Sequence, residues 1–222
     1  MPSQFFPPPT ESTPDGLVAV GGDLLPERLL DAYRHGIFPW PIDDQEQMLW
    51  WSPDPRAILP LDELRISKRL RRTLRSGKFA VTCNQAFAEV LSGCATGPGR
   101  EGGTWLTAEM IDAYTALHQL GHAHSLESWH EGELVGGTYG VAIGGLFAAE
   151  SMFYRLRDAS KVALAHLVAH LNARGYALLD VQQWTPHTSR LGVVEISREE
   201  YLQQLAAEVN RPVKFGKELE PP

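Results

Sequence analysis

The chain has 222 residues, 43% hydrophobic and 21% charged, enough for one sizeable core or a small domain packed on a larger one. No apolar run approaches the ~18 residues of a membrane span, the start does not read as a signal peptide, and two cysteines are too few for a disulfide framework or a zinc cage. The net charge of −7 argues against a protein that coats nucleic acid, and a reduced, cytoplasmic setting is expected.

In chain order, the first segment is rich in proline and tryptophan. Phe5–Pro9 reads as extended, Pro14-Asp15-Gly16 as a turn, and Asp23–Gly36 as a short helix with Pro26 in its first turn and Gly36 as its stop. Prolines 39, 41, 53 and 55 then argue against regular helix or central strand. An irregular aromatic surface is expected there, within a small N-terminal domain of residues 1–60.

The rest, 61–222, alternates helices and strands. Ser67–Ser76 reads as a basic helix, Lys78–Cys83 as a strand and Asn84–Cys94 as a helix, followed by a glycine-rich loop over 97–103. Thr107–Leu120 reads as a helix stopped by Gly121. Ala123–Trp129, Leu134–Val141 and Leu146–Ser151 alternate like adjacent strands, with Glu131-Gly132 and Gly144-Gly145 as turns. Asp158–Arg174 reads as a helix, Ala177–Val181 as a strand, and Ser197–Val209 as a helix with a Ser197/Glu200 capping box. A hairpin, a third strand, a long helix and a fourth strand predict an α+β class: an acetyltransferase-like mixed sheet with flanking helices.

Charge is unevenly placed. Seven of the 20 basic residues lie between Arg65 and Lys78, with no acidic residue among them, so the remainder carries 13 basic against 27 acidic. Such a strip is either a docking site for a polyanion or a solvated helix face. Lys68, Arg72 and Arg75 recur at helical spacing, opposite Leu70 and Leu74.

His118, His122 and His124, and the pair His166/His170, have metal-like spacings. Gly121 breaks the first group, however, and no Asp, Glu or Cys completes either one, so no metal is expected. Where the third strand meets the long helix, Met152–Asp158 contains no glycine. Backbone cannot approach a pyrophosphate closely there, so coenzyme A, and with it any cofactor, is not expected.

Five pieces stand together: Gly36-Ile-Phe-Pro-Trp40; Trp50-Trp-Ser-Pro-Asp-Pro-Arg56; Gly103-Thr-Trp105-Leu-Thr107; Gly136-Gly-Thr-Tyr-Gly140 leading into Leu146–Phe153; and Leu179-Asp180-Val-Gln182 with His187 and Leu191-Gly192. In this order and at these spacings the chain resembles the leucyl/phenylalanyl-tRNA–protein transferases from about Asp15 to Tyr201. The resemblance implies that Leu or Phe (also Met) passes from aminoacyl-tRNA to a protein whose first residue is Arg or Lys, marking it for degradation by the N-end rule. It implies catalytic roles for Asp180, Gln182 and Glu150, and places Trp40 and Trp105 around the terminal adenosine. It also supplies an amino-acid pocket, walled by Met152, Phe153 and Leu167, and tRNA contacts at Lys68, Arg72 and Arg75. A monomer without membrane contact is expected. Thr138, where many relatives carry methionine, and Arg190, where serine is usual, depart from the family pattern.

The residues agree with several of these assignments. Asp180 and Gln182, two apart on a strand, leave one face and can form a hydrogen-bond relay. Glu150, ending an apolar strand, needs a cationic partner, either Arg155 or Arg157 or a positive group of a substrate. An aminoacyl ester is already activated, so only a base and alignment are required. The acceptor amine must lose a proton, to Asp180 through Gln182 or by way of the ribose hydroxyl. Two other readings remain open on the sequence alone: a coenzyme A-dependent N-acetyltransferase, and a tRNA-binding chaperone or delivery module.

Overall fold

Alternating apolar residues from Ala123 to Tyr154 form three long antiparallel strands that organise the molecule. The computed structural model describes residues 2–41, 47–97 and 105–220. Residues 98–104, which hold most of the glycine-rich loop and the start of the third motif, lie outside the described residues. The strands are β1 (Leu17–Val20), β2 (Phe38–Pro39), β3 (Leu49–Trp51), β4 (Arg56–Ile58), β5 (Ala80–Cys83), β6 (Ala123–His130), β7 (Glu133–Ile143), β8 (Leu146–Tyr154), β9 (Leu178–Gln182) and β10 (Val194–Ile196). The helices are α1 (Pro26–Arg34), α2 (Lys68–Arg75), α3 (Phe87–Thr96), α4 (Ala108–Gln119), α5 (Ala159–Arg174) and α6 (Arg198–Glu208).

The mixed sheet with flanking helices is present. Seven strands run in the order β10-β4-β9-β8-β7-β6-β5, and a separate three-stranded sheet has the order β1-β3-β2. All pairs in the large sheet are antiparallel except β8–β9. That parallel pairing ends at Ala148↔Asp180. Glu150 and Gln182 therefore lie two residues past the last pair, one on each strand.

The sequence does not predict β1 to β4 or β10, which are each two to four residues long. Prolines around β2, β3 and β4 point to irregular backbone, yet Arg56–Ile58 sits between β9 and β10 in the large sheet. Pro53 and Pro55 precede it, so no ladder donor is lost within it. The N-terminal segment also shares a core with the helices and strands of the larger part. Tyr33, Phe38 and Trp50 pack in one apolar cluster with Phe87, Leu91, Met110, Tyr139 and Phe153.

α5 supplies much of a second core, in which Leu164, Leu167 and Leu171 meet Leu126, Phe147 and Leu179. Burying side chains of this size stabilises by ~1.5–3 kcal/mol each. Caps follow the sequence: Ser67, Thr107 and Ser197 each accept an amide three residues on. Only half of the expected capping box forms, because the Glu200 carboxylate accepts from Gln204 rather than turning back.

Candidate active site

The centre of the site is a buried ion pair. Arg56 on β4 donates from Nε to Asp180 Oδ1 at 2.9 Å and from Nη2 to Oδ2 at 2.6 Å, a bidentate pair with both side chains 1% exposed. Its Nη1 donates to the Gly36 carbonyl at 2.9 Å, and the guanidinium lies over the rings of Phe38 and Tyr201. Asp180 also accepts from the Tyr201 hydroxyl at 2.8 Å and from the Gln182 amide at 2.9 Å. Four donors on two oxygens fill its lone pairs.

Gln182 has φ +62, a left-handed conformation, just past the last β8–β9 pair. The expected relay between the two side chains therefore takes another form. The Gln182 amide bonds Asp180, while its side-chain Nε2 donates to Glu150 Oε1 at 2.7 Å. Glu150 Oε2 accepts from the Tyr114 hydroxyl at 2.8 Å, and Tyr114 is bonded to Tyr33 at 2.8 Å. Neither expected arginine pairs with it: Arg155 donates to the Leu134 carbonyl, and Arg157 lines a different cavity. Buried with no ion-pair partner among the described residues, the Glu150 carboxyl is pushed up to about 7 by its burial, with Asp180 adding to the effect and its hydrogen bonds opposing it.

Beside Glu150 is a cavity of about 130 Å³ lined by Leu59, Thr138, Met152, Leu164, Val181 and Leu191 among others. The three residues expected to wall the amino-acid pocket are separated. Met152 lines the cavity. Phe153, the next residue, packs instead in the first core with its ring against Gly93, where a Cβ would come within 2.6 Å of it. Strand alternation turns it away. Leu167 is fully buried in the second core and does not line the cavity, whereas Leu164, one turn earlier on α5, does.

Trp40 and Trp105 are brought together: their rings stack at 4.5 Å and 20°, both half-buried. Trp51 Nε1 donates to the Trp40 carbonyl at 2.9 Å, and Trp50 is fully buried with Nε1 on the Gly21 carbonyl. Lys68, Arg72 and Arg75 are exposed on α2, which is held by buried Leu70.

The profile of the leucyl/phenylalanyl-tRNA protein transferase family matches residues 58–206, and that of its N-terminal domain matches 22–54. The chain is 52% identical to the leucyl/phenylalanyl-tRNA–protein transferase of Nitratidesulfovibrio vulgaris strain DP4, covering 96% of this chain and 91% of that one. It is also 52% identical to that of Xanthomonas axonopodis pv. citri, over 97% and 87%. The chain belongs to the leucyl/phenylalanyl-tRNA–protein transferase family. Solved structures with a similar course include L-PGS from Bacillus licheniformis (18% identity, TM-score 0.40, 73% of this chain and 52% of that one). A GCN5-related N-acetyltransferase from Kribbella flavida is another (12%, 0.40, 78% and 61%).

In this transferase His118, His124 and His170 serve packing. His118 stacks on Phe87 and bonds the Ala123 carbonyl, while His170 bonds the Phe215 carbonyl and the Glu220 amide. Burial lowers the His124 imidazole to about 3, so it stays neutral between Asn84 and the Phe215 ring. Tyr33, Tyr114 and Tyr201 carry no sequence signal of a role at the site. Arg56 is marked in the sequence only as the last residue of the tryptophan-proline motif, whose unusual prolines are the one available signal.

Proposed function

We propose that the chain transfers Leu, Phe or Met from aminoacyl-tRNA to the N-terminal Arg or Lys of acceptor proteins in the cytoplasm, by aminolysis of the ester. Such transfer marks the acceptors for degradation by the N-end rule. Family membership supports the reaction. The observation that carries the site is the apolar cavity edged by one buried carboxylate, Glu150, that forms no ion pair among the described residues. An apolar side chain not branched at Cβ fits those walls, and a cation brought by a substrate would complete Glu150. Among the described residues no helix is long and apolar enough to cross a membrane. We read the protein as a monomer.

In this reading Glu150, with Gln182 on one oxygen, holds and deprotonates the acceptor amine, whose unperturbed pKa is about 7.7–8. A carboxyl near 7 is matched to that proton. Asp180 is a positioning residue rather than the base, because accepting a proton would break one of its four donor contacts. It fixes Gln182 through the main chain and Arg56 through the ion pair. Trp40 and Trp105 already stack on each other, so the terminal adenine lies on an outer face of the pair. The basic face of α2 carries tRNA phosphates. Incubating the protein with tRNA bearing labelled leucine and a peptide starting with Arg tests the reading. Label in the peptide is the expected result, and label that stays on tRNA or goes only to water rejects it.

A further inference from the structure

A second cavity, of about 170 Å³, lies at the amino-terminus of α5, lined by Arg69, Tyr154, Arg157, Asp158, Ser160, Lys161 and His187. Three cationic side chains face one carboxylate, and that carboxylate is already engaged: Asp158 accepts from Arg69 Nη2 at 2.9 Å. Two positive charges remain over. Burial, with Lys161 next in effect, lowers the His187 imidazole, so it joins as a neutral group.

α5 is 16 residues long, and its first turn adds to this field. The amides of Ser160 and Lys161 donate to no backbone carbonyl among the described residues, and Asp158 makes no side-chain cap. Independently of the helix end, Ser160 is only 6% exposed, lines the cavity, and its hydroxyl has no hydrogen-bond partner among the described residues. That oxygen opens on the cavity rather than being sealed from it, so a ligand seated there can reach it.

The two cavities are lined from the same three stretches of chain. Tyr154 and Met152 are two residues apart on β8, His187 and Thr188 are consecutive, and Lys161 precedes Leu164 by about one helical turn. An anion seated here is therefore within a nucleotide's reach of an acyl group in the first cavity. We infer that the cavity at the start of α5 is a phosphate site, and that its occupant is the 5′-phosphate of the terminal nucleotide of the aminoacyl-tRNA. The inference rests on the aminoacyl-transfer reading for its occupant. The ligand chemistry of the site does not depend on it.

The test compares two minimal donors, 3′-O-leucyl-adenosine and its 5′-phosphate, for transfer to a peptide starting with Arg. The full-length protein is compared with the variant R157A/K161A and with the charge-keeping R157K/K161R. Arg157 is exposed and Lys161 half-buried, so neither change empties a core. The wild type is expected to take the phosphorylated donor with a KM lower by about 10-fold, the size of one weak charged hydrogen bond. R157A/K161A should lose that preference at unchanged kcat, and R157K/K161R should keep most of it. Equal KM for the two donors in the wild type, or a preference that survives in R157A/K161A, overturns the proposal. If neither donor is used, the transfer reading is what fails, and the site is then read without turnover by titrating adenosine 5′-monophosphate against adenosine. A phosphate-dependent gain in affinity that disappears in R157A/K161A upholds the phosphate site, and no gain rejects it. Inorganic phosphate is the remaining arm. Saturation by it, with no advantage to the nucleotide, overturns the assignment to the donor.

Discussion

Gln182 Nε2 donates to Glu150 Oε1 at 2.7 Å across the point where β8 and β9 cease to pair. Each strand thus contributes one polar side chain to a gap that neither would fill alone. Replacing Gln182 with Ala removes the donor and leaves Glu150 with Tyr114. Turnover is expected to fall by ~10²-fold, within the range for a positioned proton-transfer group, while the dissociation constant for aminoacyl-tRNA stays within about 2-fold. Single-turnover kinetics beside a binding titration separate the two. A loss confined to binding would mean that the pair belongs to tRNA docking.

Glu150 also sets a pH dependence. Its carboxyl is raised to about 7 by burial, so the folded chain keeps a proton that the unfolded chain releases from about 4.5 upward. Its contribution to stability is therefore best at low pH, declines through the interval from 4.5 to 7, and is flat above, a span of roughly 3 kcal/mol. With Glu150 as the proposed base, turnover is expected to run the opposite way, rising through pH 7. Glu150→Gln should flatten both profiles. Denaturant midpoints and kcat measured from pH 5 to 8.5 check this, and an unchanged kcat profile in the variant would remove Glu150 from the proton path.

The Arg56–Asp180 pair predicts a stability effect separable from catalysis. Removing one partner strands the other in the core, at ~3–5 kcal/mol. Arg56→Ala should lower the unfolding free energy by that amount, and Tyr201→Phe, which deletes one of four donors to Asp180, by about 1–2 kcal/mol. Urea denaturation reads both. Equal effects for the two variants would contradict the central place given to the ion pair.

The cavity beside Glu150 predicts substrate choice. Leu, Phe and Met should all be accepted, since a methylene is worth only ~1–3 kcal/mol of discrimination, with β-branched Ile and Val disfavoured by shape. Thr138 lines the cavity, and its hydroxyl donates to the Ser151 carbonyl. Thr138→Met should narrow the space and reduce transfer of Phe more than Leu. Competition between charged tRNAs provides the ratio, and an unaltered ratio would place the acyl side chain elsewhere.

On α2, Lys68, Arg72 and Arg75 are exposed while Leu70 is the buried anchor. Replacing the three with Ala should weaken Leu-tRNA and Phe-tRNA alike. The salt slope of log K should become shallower by ~0.7–0.9 for each phosphate that the helix no longer neutralises. Turnover at saturating tRNA should hardly change. An identical slope in the variant would make the strip a solvated face.

Local signals carry most of the fold. Caps, glycine stops and two-residue alternation locate α1–α6 and the strands from β5 to β9 to within a few residues, because those features act over a turn or less. β1 to β4 and β10 escape because a strand of two to four residues shows too little alternation to stand out, and its identity comes from partners far away in sequence. The site behaves the same way. Asp180, Gln182 and Glu150 are visible in the motifs, but the residues that hold them are not. Arg56 reaches Asp180 from 124 positions away, and Tyr114 reaches Glu150 from 36. Phe153 is absent from the cavity beside Glu150 for a simpler reason: next to Met152 on a strand, it has to face the opposite side.

The insertion of β4 into the large sheet bears on how this chain can be cut or exchanged. A fragment beginning at residue 61 would keep Asp180 but lose its counter-ion, its neighbour strand and the Gly36 carbonyl that orients the guanidinium. Grafting the later segment of one relative onto the earlier segment of another would join an arginine and an aspartate tuned in different proteins. Successful chimaeras should therefore have their junction before Arg56, in the segment 52–55, and inherit everything from β4 onward as one block.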